Sequence, residues 1–346
     1  MGLDFLRNNG ARRVHNYAEQ PFLLTDSTPQ SEELDTEKVK LEYEDLPQLW
    51  EAKNIDTTSV PKDWQYRPKC FVDGKDMGRT IAWLQSKQGH PVPVRLSQIG
   101  AVVMRNYDGT LVREFAKVEQ VVSVAVDFFP WDEVESFAVA LRRAGLRLLT
   151  CQPSNTFDFE RMRITTQNRS MDEMTRLERL ALTQINDLPT VVDGLLGTRS
   201  PSFDPENSPV VGLIKTLRNI QLHDEGWRVL YSLQPRQRTP AFRIVEKDLS
   251  VISWYLRLDG FRGELPNYGI VRLEISEDFF KKNLGGNDWQ HLDYLSQIIC
   301  DYRCRDSSYD RASVSLHPIQ RAEESLGALF TNSDTLINHF YRITGL

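Results

Sequence analysis

Apolar and polar positions alternate between two textures along the chain. From residue 68 onward, short apolar runs closed by turn residues predict buried strands. Lys69 to Asp73 (KCFVD) is the first, ended by Gly74. Arg79 to Gln85 reads as the next, Val94 to Tyr107 contains another around GAVVM, and Val121 to Phe129 stops at Pro130. Trp131 to Ala144 has helical spacing and ends at Gly145; Leu146 to Cys151 returns to strand character. Ser170 and Glu173 fit a capping box, which places a helix from there to about Ile185, stopped by Asn186, Asp187 and Pro189. Thr190 to Asp193 is then an apolar strand closed by Gly194. Helices are predicted at 210–221, 289–302, 319–330 and 335–343, and strands at 242–246, 251–258 and 268–275. The pattern predicts a mixed α/β fold with hairpins early and helices late.

The first 65 residues differ in texture. Residues 24–40 (LTDSTPQSEELDTEKVK) are polar, acidic and rich in turn formers, as in a surface linker. Leu41 to Lys53 has helical spacing. Residues 1–65 read as an arm that packs on the body or on a partner, and 66–346 as the main domain. Of the chain's 48 acidic and 42 basic residues, residues 1–60 hold twelve and six, so the rest balances at 36 of each. The net charge of −6 therefore belongs to the arm, and it does not argue against nucleic acid for the body. Residues 141–179 carry eight Arg against five Asp/Glu, which permits a local basic surface or a solvated helix face.

The longest apolar stretch, 121–131, contains Asp127 and is too short to span a bilayer. The N-terminus lacks the apolar core of a signal peptide, so a cytoplasmic protein without membrane contact is expected. Cys300 and Cys304, one turn apart on a predicted helix, form at most half a zinc site. With Cys70 and Cys151 they read as idle thiols. No phosphate-binding Gly-rich loop and no local Ser-His-Asp or Cys-His signature is present.

Two strands close on the same phrase, Phe71-Val72-Asp73-Gly74 and Val191-Val192-Asp193-Gly194. One Asp-Gly is commonly a turn. Two, each after an apolar strand, suggest a shared site, and adjacent carboxylates need a divalent cation between them. A third acid is expected from the helix before Asp193. Met171, Met174, Glu178, Ala181 and Ile185 share one face on which only Glu178 is charged, while Glu173 is occupied by the cap. Measured back from the helix end, Glu178 comes level with Asp193. Asp73, Glu178 and Asp193 are thus the expected metal ligands and catalytic acids. Such a triad holds two cations that activate water and stabilise the leaving oxygen of a phosphodiester. Lys215 in VVGLIK is a candidate phosphate contact or an exposed helix lysine, and Arg176 in the arginine-rich stretch is a second candidate substrate contact.

These residues resemble the NurA-domain nucleases. The resemblance rests on FVDG at 71–74, RLERLALTQINDLPTVVDGLL at 176–196 and SPVVGLIKTLRN at 208–219, and it covers about 68–330, more weakly between 105 and 170. It implies an RNase H-like fold, related to the PIWI core, and manganese- or magnesium-dependent exo- and endonuclease activity on DNA. It also implies a homodimer docked on HerA, a hexameric ring ATPase, in end resection or phage defence. Asp73, Glu178 and Asp193 match the family's catalytic acids. The family commonly closes its domain with a Pro followed by Ala-His; here Pro318 is followed by Ala322-Glu323. Either Glu323 takes the place of that His, or nearby His317 does. A non-catalytic adaptor that couples DNA to a ring translocase is the alternative from another class, and a guide-dependent nuclease of the PIWI type is a third reading.

Overall fold

The computed structural model describes residues 2–14, 44–57, 59–152, 158–185, 187–216, 222–245, 249–258, 267–286 and 288–346. The strands are β1 (Arg12–Arg13), β2 (Lys53–Asn54), β3 (Cys70–Gln85), β4 (Pro91–Tyr107), β5 (Thr110–Ala125), β6 (Arg147–Cys151), β7 (Thr190–Asp193), β8 (Val210–Ile214), β9 (Gln237–Arg238), β10 (Phe242–Val245), β11 (Ser250–Arg257) and β12 (Ile270–Ser276). The helices are α1 (Phe5–Asn8), α2 (Trp131–Arg143), α3 (Phe159–Thr183), α4 (Asp224–Ser232), α5 (Glu277–Asn283), α6 (Gln290–Asp301), α7 (His317–Leu329) and α8 (Ser333–Thr344).

All these strands join one sheet, in the order β2-β9-β11-β12-β8-β7-β3-β4-β5-β6, with β1 on β3 and β10 on β11. Its centre is an antiparallel meander, β3-β4-β5, whose first strand pairs in parallel with β7, which pairs in parallel with β8. The order β5-β4-β3-β7-β8, with α3 crossing over before β7, makes a mixed central sheet with flanking helices, the α/β class expected from the sequence and in keeping with the RNase H-like fold that the motif resemblance implies.

Side chains alternate across a strand, so each face carries its own core. Val72 and Val192 point to the face packed by Leu177, Ala181 and Leu182 of α3 and by Leu230 of α4. Phe71, Val191 and Leu213 point to the other face, covered by Phe280 of α5, Leu295 of α6, and Ile319, Ala322 and Leu326 of α7. A third core beside the β3–β4 hairpin gathers Phe137 of α2, Phe340 of α8 and Phe5 and Leu6 of α1. None of the described helices is long and apolar enough to cross a membrane.

Several expectations need correction. Residues 210–214 form a strand, not the start of a helix; β-branched Val210, Val211 and Ile214 fit a strand between β7 and β12. The remainder of that expected helix, 217–221, lies outside the described residues, as do the acidic linker 24–40 and residues 41–43. The described part of the expected helix at 41–53 holds only a 3-10 turn at Pro47–Leu49 and the start of β2. Residues 70–85 are one strand rather than two. Its polar middle, GKDMGR, finds partners on neighbouring elements: Arg95 Nη2 of β4 lies 3.3 Å from Asp76 Oδ2, and Ser170 Oγ of α3 donates to the same oxygen at 2.6 Å. Ser170 and Glu173 are not a cap. The helix begins eleven residues earlier, at Phe159, where the Asp158 side chain accepts from the backbone N–H groups of Glu160 and Arg161. Cys304 lies beyond the end of α6, and all four cysteines are free and buried.

Candidate metal centre

Asp73 and Asp193 meet because β3 and β7 are adjacent and parallel. Val72 stands opposite Val192, so the following acids come level on the same face. Asp193 is the last residue of its strand, whereas Asp73 lies within a strand that continues to Gln85. The third acid comes from α7, where Ile319, Ala322 and Leu326 pack on this face and carry Glu323 down onto the two strands. Carboxylate oxygens of Asp73, Asp193 and Glu323 lie within 4.8 Å of one another. From the position directly after β8, Lys215 enters the same group. Its Nζ is 2.9 Å from Asp193 Oδ2 and 4.0 Å from Glu323 Oε1.

This donor set fits a hard divalent cation, which prefers several carboxylate oxygens converging on one point. An independent observation agrees. Asp73 is 3% exposed, and its Oδ2 is buried without a hydrogen-bond partner. A native fold rarely leaves such an atom unpaired unless something else fills the position. Burial pushes the Asp73 carboxyl well above the usual carboxylate range, and the charges of Asp193, Glu323 and Glu178 push the same way against Lys215. Burial works against the Lys215 ammonium, yet the attraction of Asp193, Asp73 and Glu323 prevails and raises its pKa. Burial and the Glu323 carboxylate also raise the Tyr309 phenol, which flanks the site.

Glu178 comes level with the acidic pair but on the opposite face. A Cβ on Gly74 would lie 2.7 Å from Glu178 Oε1, and Gly74 faces away from Asp73 by strand alternation. There Glu178 is 1% exposed and held by Arg199, whose Nη2 donates to Glu178 Oε2 at 2.6 Å. The same guanidinium donates to the carbonyls of Asp193 at 2.7 Å and Leu195 at 2.8 Å. Glu274 of β12 shares this buried network, accepting from the Leu196 N–H at 2.5 Å beside Arg272 at 3.4 Å. Burial raises the pKa of Glu178 and of Glu274, against the arginines beside them. Arg199 and Glu274 carried no signal in the sequence.

Both glycines of the repeated phrase have a structural reason. Gly194 has φ +112, which other residues rarely adopt, and stands 3.0 Å from Arg199 Nη1 at its would-be Cβ. Gly74 has ordinary strand geometry and exists to leave room for Glu178. Gly74→Ala is therefore expected to cost about 1–3 kcal/mol by overpacking, read by denaturant unfolding. Unchanged stability would show that Glu178 yields without strain.

The other sequence candidates are placed elsewhere. His317 is exposed at the first position of α7, six residues before Glu323. Arg176 is 44% exposed and pairs with Glu173 and with Glu119 at 3.0 Å, away from the acidic group. Glu173, assigned to a cap by the sequence, is the buried hub of that network and also binds Arg147 at 2.5 Å.

No protein-family model matches the chain, and no significant match is found among curated proteins. Among solved structures, the chain is similar to the NurA nuclease from Sulfolobus solfataricus. The two are 12% identical with a TM-score of 0.45, over 82% of this chain and 84% of that one.

Proposed function

We propose that the chain is a divalent-metal-dependent deoxyribonuclease that hydrolyses phosphodiester bonds at Asp73, Asp193 and Glu323. One observation carries this reading: three carboxylates from β3, β7 and α7 converge within 4.8 Å, one of them with a buried oxygen left unpaired. A purely structural cluster would also place the remaining oxygen, Asp73 Oδ2, against a donor or in water. The motif resemblance at 71–74, 176–196 and 208–219 supplies DNA as the substrate class and manganese or magnesium as the ion. When bound, the ion polarises the scissile phosphate and lowers the pKa of water.

The chain's own groups divide the remaining work. Asp73, Asp193 and Glu323 hold and orient. Lys215 places a positive charge beside Asp193, where charge on phosphate oxygens builds up. Glu178 acts through Arg199, which fixes the turn after Asp193 from behind the sheet. Work with a HerA-type hexameric ATPase, as a homodimer, in end resection or phage defence, belongs to the same reading and rests on the motif resemblance. The test is cleavage of end-labelled single- and double-stranded DNA by the purified chain in Mn2+, Mg2+ or EDTA, with and without a HerA-type ring. Metal-dependent cleavage is expected. The absence of cleavage under every condition, with retained binding to the ring, would favour a non-catalytic adaptor.

A further inference from the structure

We infer that the ammonium of Lys215 occupies the position of a second metal ion, so that this centre takes one divalent cation per chain rather than two. The inference rests on the nuclease reading above and deepens it. Two-metal sites set their ions about 3.5–4 Å apart and bridge them with shared carboxylates. Here the bridging position between Asp193 and Glu323 is filled from within the chain: Nζ lies 2.9 Å from Asp193 Oδ2 and 4.0 Å from Glu323 Oε1. The Lys215 side chain is 9% exposed, and the residue directly follows β8, which is paired with β7 and β12. It therefore has little room to withdraw.

Charge leads to the same count. Asp73, Asp193 and Glu323 bring three negative charges, and Lys215 returns one positive charge. One divalent ion makes the group formally neutral. A second would leave two uncompensated positive charges in a buried place, where like charges a few ångströms apart repel strongly. Glu178 does not alter the sum, because it lies across the sheet and is paired with Arg199. Asp73 Oδ2 is buried without a hydrogen-bond partner, so Asp73 is the acid of the group left free to take the single ion.

The experiment is a count of bound Mn2+ on the full chain, by equilibrium dialysis with the free ion read by electron paramagnetic resonance. Wild type is expected to bind one ion, without the coupled-pair spectrum of two adjacent Mn2+. Lys215→Met is expected to bind two, with the second at least tenfold tighter than any second ion on wild type. If Lys215→Met does not fold, Lys215→Gln removes the same charge while keeping a polar head. Two coupled ions on wild type would overturn the inference and leave the nuclease reading standing, as would one ion on both wild type and the lysine variant. No bound Mn2+ on wild type would overturn both.

Discussion

Asp73→Asn is expected to lower metal-dependent DNA cleavage by about a thousandfold, on the order of 4 kcal/mol of transition-state stabilisation, while making the metal-free protein more stable. The two effects have opposite signs for one reason. Asp73 is buried, leaves Oδ2 unpaired and faces two other acids, so its ionised form is disfavoured until a cation arrives. Its folded pKa is raised above the unfolded value. In acid, where both states are protonated, it costs nothing. As pH rises through the ordinary carboxylate range, the unfolded chain ionises first, and stability falls until the folded group ionises as well. From Asp73 the metal-free wild type should therefore lose stability as pH rises, with Glu178 and Glu274 acting in the same direction and lowered carboxylates such as Glu44 and Glu277 acting in the opposite one. Asp73→Asn should lose less, with a difference of about 1–3 kcal/mol at pH 8 that vanishes in acid. Mn2+ should stabilise wild type and not the variant. Denaturant unfolding in EDTA and in Mn2+ at both pH values reads all of this. Equal destabilisation by Asp73→Asn at every pH would mean that Asp73 has a partner in the metal-free fold.

The second large effect is expected at Arg199, on the face without the metal. Arg199→Met strands Glu178 as a buried charge and releases the carbonyls of Asp193 and Leu195. Removing one partner of a buried ion pair costs about 3–5 kcal/mol, which for a chain of this size is a drop of roughly 5–10 °C in Tm. Because Asp193 Oδ2 and its carbonyl belong to one turn, Mn2+ affinity should also fall, by about 10–100-fold, as when a residue supporting a ligand is lost. Glu178→Met added to Arg199→Met should restore part of the stability, since it removes the stranded charge, but not the metal affinity. A loss below about 1 kcal/mol for Arg199→Met, too small for a broken buried pair, would mean that Glu178 sits protonated without needing Arg199.

The sequence made the acids visible because Asp73 and Asp193 each follow an apolar run and precede a glycine, and that pattern survives into the sheet. It placed Glu178 at the correct height, since helical rise and strand rise are fixed. It could not give the face. The same alternation that sends Asp73 toward α7 sends Gly74 toward Glu178, and only the pairing of β3 with β7 reveals which side α3 covers. Lys215 looked like a helix residue because GLIK is compatible with both periods; its burial follows from β8 lying between β7 and β12. Glu274 and Arg272 alternate with Val271, Leu273 and Ile275, which ordinarily marks a solvent face. Here that face is covered, and the arginine–glutamate network makes the burial tolerable. The long polar middle of β3 was hidden in the same way, by partners distant in sequence such as Arg95 and Ser170.

The choice between Glu323 and His317, open in the sequence, gives the most direct test of the centre. Mn2+-dependent cleavage of labelled DNA by Glu323→Gln and His317→Ala, side by side with wild type, separates them. Glu323 lies in the acidic group, and His317 is exposed at the start of the same helix. Cleavage should fall by about a hundredfold or more in Glu323→Gln, as for the loss of one preorganised charge at a reacting centre, and stay close to wild type in His317→Ala. Full activity in Glu323→Gln, together with its loss in His317→Ala, would contradict a centre built on Asp73, Asp193 and Glu323.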